Sequence, residues 1–164
     1  MENGHFRSII SPQSERIHYG GSRNRGVIMS EYLVRGALLT CDFGSHARKL
    51  NLPLSHGIYI KEKAQILEDD CIVDDNISYF GVCTCETPPC DTETVTLQKY
   101  GDAGKDGATI TGCKCCPEII GKWRDCMERN MYAGNVKTVT TESYLVCKHG
   151  GLIQPVSSGQ EEEE

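Results

Sequence analysis

The stretch Gly112-Cys113-Lys114-Cys115-Cys116-Pro117 places three thiols within four residues. Its reading decides what supports the fold: cross-links, metal coordination or a reactive thiol. Adjacent cysteines such as Cys115 and Cys116 rarely bond to each other, because disulfide geometry is demanding, so each looks elsewhere for a partner. The 164-residue chain holds ten cysteines, with 38% hydrophobic residues, 7% aromatic residues and a single Trp. That apolar share is thin for one domain of this length, and the cysteines are the obvious reinforcement. Seventeen glycines against three phenylalanines point to many turns and short strands rather than long helices.

The net charge is −6, and the terminal run Glu161 to Glu164 supplies four of the acidic groups. No basic stripe offsets it, so nucleic acid is not an expected partner; phosphate contacts need clustered Lys and Arg. No apolar run approaches the length of a membrane span, so no stable membrane insertion is expected, and the N-terminus lacks the apolar core of a signal peptide. The protein is therefore expected to be made in the cytoplasm. Disulfides are disfavoured there, which gives weight to thiolate–metal coordination.

Residues 1–29 are polar, without a sustained period, and read as a flexible N-terminal arm. From Glu31 the texture changes. "EYLVRGALLTC" is apolar and β-rich, with Gly36 marking a bulge or close approach. "IYIKEKAQIL" reads as one or two short strands, "EDDCIVDDNISYFGVC" as a strand between acidic turns, and "TVTLQKY" as a strand by its β-branching. "EIIGKWRDCMERN" has the length of one short helix, which Gly121 opposes. "NVKTVTTESYLVC" is β-branched, and "KHGGLIQPVSSGQ" closes the domain. The expected organisation is a mostly β domain over residues 30–160 with an acidic tail at 161–164.

Several motifs dissolve on inspection. "GDAGKDGAT" lacks the Gly-Lys-Ser/Thr ending of a phosphate-binding loop. Asp69, Asp70, Asp74 and Asp75 do not have the spacing of a calcium loop and read as turn chemistry. Cys147 and His149 are two apart and would share a face in a strand, which makes them the first pair to consider for a cysteine-dependent enzyme. Cys83 and Cys85 are two apart, as are Cys113 and Cys115. Zinc takes three or four soft ligands at about 2.3 Å, and Cys-x-Cys is tighter than its usual ligand spacing.

Four blocks together carry a resemblance. "VRGALLTCDFGS", "DDNISYFGVC", "KCCPEIIGKW" and "YLVCKHGGLIQPVSSGQ" resemble, in order, the pattern of a PAAR-like family of bacterial proteins, from about Tyr32 to Gln160. The resemblance implies a small PAAR-like β-cone of short strands with long loops, capping and sharpening the trimeric spike of a contractile injection system such as type VI secretion. It implies a non-enzymatic protein, a monomer on a trimeric base, with the spike protein as partner and an effector as a further one where the tip carries cargo. Assembly on the apparatus would deliver it outside the cell or into a target cell without a signal peptide. It also implies a structural Zn²⁺ held by the matched positions Cys41, Cys83, Cys115 and Cys147. Cys71, Cys85, Cys90, Cys113, Cys116 and Cys126 stand outside that pattern. Two readings compete with this one: a secreted, disulfide-stapled binding module, and a cysteine-dependent enzyme.

Overall fold

The computed structural model describes residues 29–89, 93–98, 108–131 and 134–161. The arm expected over residues 1–29 lies outside these except for Met29, as do Cys90 and residues 162–164 of the expected tail. The described residues contain no helix, and the strands are short and antiparallel, so the protein is mostly β.

The largest sheet has four strands in the order β2-β1-β10-β9, with β1 at Leu38–Cys41, β2 at Arg48–Lys49, β9 at Leu145–Val146 and β10 at Leu152–Pro155. Chain-distant strands therefore lie side by side: Leu39 faces Pro155, Thr40 faces Gln154 and Cys41 faces Ile153. β1 alternates as a half-buried strand should, with Leu39 and Cys41 turned inward. Three two-stranded ribbons complete the set: β3 (Tyr59–Ile60) with β4 (Lys63–Ala64), β5 (Thr94–Gln98) with β6 (Thr109–Cys113), and β7 (Met127–Met131) with β8 (Gly134–Thr138). The β3–β4 turn has positive φ at both Lys61 and Glu62, the type I′ arrangement that suits strand twist.

The core gathers Leu33, Leu39, Leu50, Ile66, Ile77, Phe80, Trp123, Val139, Leu145 and Ile153, all nearly excluded from solvent. Isolated bridges, among them Tyr32 to Thr140, Val34 to Gln65 and Leu67 to Thr138, tie the ribbons around it.

Three expectations are corrected. The stretch from Glu118 to Asn130 forms no helix. Gly121 and Asp125 both take positive φ there, and Met127 onward is extended. The stretch from Glu68 to Cys83 forms no continuous strand. Asp74 turns the chain at positive φ, and Asn76 knots it: Ile72 N–H donates to Asn76 Oδ1 (2.9 Å) while Asn76 Nδ2 donates to Asn51 O (3.1 Å). Gly36 marks a turn between two extended segments rather than a bulge within one strand.

The end of the domain is fastened. A Cβ on Gly159 would fall 2.5 Å from the Ala37 nitrogen. Gln160 Nε2 donates to Tyr32 O (2.7 Å), and Lys63 Nζ donates to Gly159 O (2.7 Å). Glu161, grouped with the tail by sequence, folds back to accept from Ser158 N–H (3.1 Å), and its own backbone N–H, followed by the Ser158 donors, holds its carboxyl below the usual range. No helix of the described residues is long and apolar enough to cross a membrane.

Candidate functional site

β1 ends at Cys41, and β9 stops one residue before Cys147. Each cysteine then opens a four-residue turn closed by glycine. Gly44 N–H donates to Cys41 O (3.0 Å), and Gly150 N–H donates to Cys147 O (2.9 Å). Cys41-Asp42-Phe43-Gly44 and Cys147-Lys148-His149-Gly150 are thus two copies of one Cys-x-x-Gly turn. β1 and β9 both pair antiparallel with β10, so they run the same way and both turns lie at the same end of the sheet. Gly151 clears the space between them. Its carbonyl accepts from Cys147 N–H (2.8 Å), and a Cβ on it would fall 3.3 Å from Cys41 Sγ and 2.9 Å from Phe43 Cδ2.

The other two motif cysteines come from a short ribbon in the middle of the chain. Val82 bridges Lys114, with Cys83 N–H donating to Cys113 O (2.8 Å) and Cys115 N–H donating to Gly81 O (2.7 Å). Cys83 is therefore opposite Cys113. Period-two alternation then puts Cys83, Cys113 and Cys115 on one face. On its other edge Cys83 bridges Gly44, inside the first turn. A Cβ on Gly44 would fall 3.3 Å from Cys41 Cβ and 2.4 Å from Phe80 Cβ, so only glycine fits there.

The thiols touch in sequence. Cys115 donates its S–H to Cys41, and the backbone N–H groups of Phe43 and Gly44 also point at the Cys41 sulfur. Together these outweigh burial and lower the Cys41 pKa to about 6. The same contact, with burial and the nearby Cys83, pushes Cys115 far up and keeps its proton in place. Cys115 also contacts Cys83, whose S–H in turn points at Cys85 Sγ (3.4 Å). Cys147 is 5% exposed and within electrostatic reach of Cys85. The structure thus brings Cys41, Cys83 and Cys115 together, with Cys147 at the same end. It adds Cys85 and Cys113, whose place could have been read from their two-residue spacing to Cys83 and Cys115.

The remaining thiols lie elsewhere. Cys71 points at Gly121 O (3.8 Å) and Cys126 at Trp123 O (3.5 Å), beside the buried Trp; burial raises the pKa of both. All nine described cysteines are free.

The donor chemistry suits a soft divalent ion: thiols, mostly buried, with two backbone N–H groups already turned toward one sulfur. The arrangement as it stands is a chain of sulfur contacts, and among the described residues no group of three His, Cys, Asp or Glu side chains stands ready to hold a metal.

Nucleophile–base geometry is a poorer fit. Cys147 and His149 lie in a turn, not a strand, so the expected shared face is lost. His149 Nε2 approaches Glu118 Oε2 instead, at 3.6 Å. The buried His46 and the half-buried Ser45 beside it, which no sequence motif announces, are fully engaged. His46 Nε2 donates to Gln98 O (2.6 Å), Ser45 Oγ–H donates to Nδ1 (2.7 Å), and Ser45 Oγ accepts from Val82 N–H (2.8 Å).

Residues 33–160 match the model of a family described as a domain of unknown function, DUF4280. That is most of the chain, and the protein belongs to this family. The match spans all four motif cysteines and the closing Gly159-Gln160. No curated protein and no solved structure matches the chain.

Proposed function

We propose that the protein is a non-enzymatic spike-tip protein of a contractile injection system, PAAR-like in role, and that Cys41, Cys83, Cys115 and Cys147 hold one structural Zn²⁺. The observation that carries this reading is the closeness of Cys41, Cys83 and Cys115, with Cys147 at the same end of the sheet, the four drawn from four separate motif blocks. A cluster of that kind suits an apex that must stay rigid on a thin core. The bound ion would supply cross-linking of distant segments, worth on the order of 10 kcal/mol in small domains. Cys41 already has the N–H donors that stabilise a metal-bound thiolate. The short ribbons leave unpaired strand edges, which suit addition of a partner's strands at the base of a tip. The partners on this reading are the trimeric spike protein and an effector.

Deleting the gene and scoring particle assembly and effector delivery tests the role; unchanged assembly and delivery would overturn it. Metal content and free thiols, measured together on protein purified without added metal, test the centre. One zinc per chain, with thiols that react only after chelation, is the expected result.

A further inference from the structure

The Sγ atoms of Cys83 and Cys85 stand 3.4 Å apart. Both thiols are free and partly exposed, whereas Cys41, Cys115 and Cys147 are buried. Cys83 is fixed from two sides, by Cys113 O and by its bridge to Gly44. Cys85 begins a bend that runs through Thr87, so it sits on the more adjustable backbone. Residues two apart in an extended segment share a face, which is why the two sulfurs meet. A disulfide has its sulfurs about 2.05 Å apart, so closure asks for about 1.4 Å of movement.

We propose that Cys83 and Cys85 are an oxidation site, closing to an intramolecular disulfide when the protein meets an oxidising medium. Two S–H bonds break and one S–S bond forms, releasing two protons and two electrons. A peroxide takes them up as its O–O bond breaks and two waters leave. A low-molecular-weight disulfide takes them up by exchange: one sulfur of the pair forms a mixed disulfide, and the other displaces the second small thiol. Closure withdraws Cys83 from the thiol cluster and leaves Cys41, Cys115 and Cys147 reduced. The inference rests on the sulfur geometry and exposure, not on the spike-tip reading.

The test uses full-length protein purified with reductant and stripped of metal by chelation, so that no bound ion shields Cys83. It is exposed to hydrogen peroxide or oxidised glutathione, blocked with iodoacetamide and mapped by peptide mass. Fragment ions of the peptide carrying both cysteines are expected to show the loss of two hydrogens confined to Cys83 and Cys85, with neither of these two labelled and Cys90 labelled, with either oxidant. In Cys85→Ser treated with oxidised glutathione, Cys83 should carry one glutathione or remain open to label. Cys126→Ser should behave as the parent does. Trp123 fluorescence reports whether a variant has folded, and Cys85→Ala serves if the serine variant has not. Labelling of both Cys83 and Cys85 after both oxidants, or a link from Cys83 to Cys113 or Cys115, would overturn the proposal.

Discussion

Cys115 hands its hydrogen to the sulfur of Cys41, and the two residues come from opposite halves of the chain. One proton is therefore shared by two buried sulfurs. In metal-free protein the pair should lose its first proton near pH 6, read as thiolate absorbance near 240 nm that is missing from Cys41→Ser. The second proton should stay on beyond the ordinary thiol range.

The stability of metal-free protein follows from the same pair. Cys41 is depressed, so the folded state binds fewer protons than the unfolded state from about pH 6 up to the ordinary thiol value of 9.0, and stability should rise across that window. It should fall away as pH drops through about 6. Above 9.0 the raised Cys115 reverses the sign, because only the unfolded chain then loses that proton. Urea melts at a series of pH values check the maximum, which Cys41→Ser should flatten.

Serine replacement at Cys41, Cys83, Cys115 or Cys147 should lower zinc content and melting temperature together. Cys71→Ser and Cys126→Ser should leave zinc content unchanged, since those thiols point at backbone carbonyls near Trp123. Chelation of the parent protein should reproduce the loss of melting temperature seen in the first group.

Two glycines separate conformational cost from overlap. Gly57 and Gly81 both have positive φ, but a Cβ at Gly57 meets nothing within 4 Å, while one at Gly81 would fall 2.3 Å from Ser45 Oγ and 2.4 Å from His46 Nδ1. Gly57→Ala should cost about 1 kcal/mol. Gly81→Ala should cost about 3 kcal/mol or more, because the engaged Ser45–His46 pair cannot yield. Denaturant melts of the two variants measure the difference.

Asp70 gives a third contrast. Its carboxylate is nearly buried, accepts from Leu67 N–H (2.8 Å) and meets His56 Nε2 at 2.9 Å. His56 is over a third exposed, so solvent screens that pair, and His56→Ala should cost about 1 kcal/mol or less. Asp70→Ala should cost about 2–3 kcal/mol, since it leaves the Leu67 N–H without its acceptor.

The sequence told the β character and the strands at Thr94–Gln98 and Leu38–Cys41, because alternation and β-branching are local signals. The four motif cysteines could be listed from the chain, but their meeting could not be derived from spacing. Cys41 and Cys147 lie at the same end of the sheet because β1 and β9 both pair with β10, and Cys83 is held beside the Cys41 turn by its bridge to Gly44. The apparent helix around Trp123 failed for a related reason. Its apolar pattern belongs to residues pinned individually, with Trp123 Nε1 donating to Asp70 O (2.9 Å) and Arg124 bridging Tyr144. The strand at Thr109–Cys113 was hidden by its glycine. Gly112 is there because a Cβ would fall 2.6 Å from Val82 Cγ1.

The twin Cys-x-x-Gly turns have a consequence for biosynthesis. Cys41 leaves the ribosome long before Cys147, yet its neighbours in the finished sheet are β10 and the glycines that follow Cys147. Closing so long a loop carries a chain-entropy cost that later contacts must repay. The early thiol thus waits for the late one, and the cluster acts as a clasp that shuts only on a chain translated through both turns. A prematurely terminated product would leave the Cys41 sulfur open to solvent.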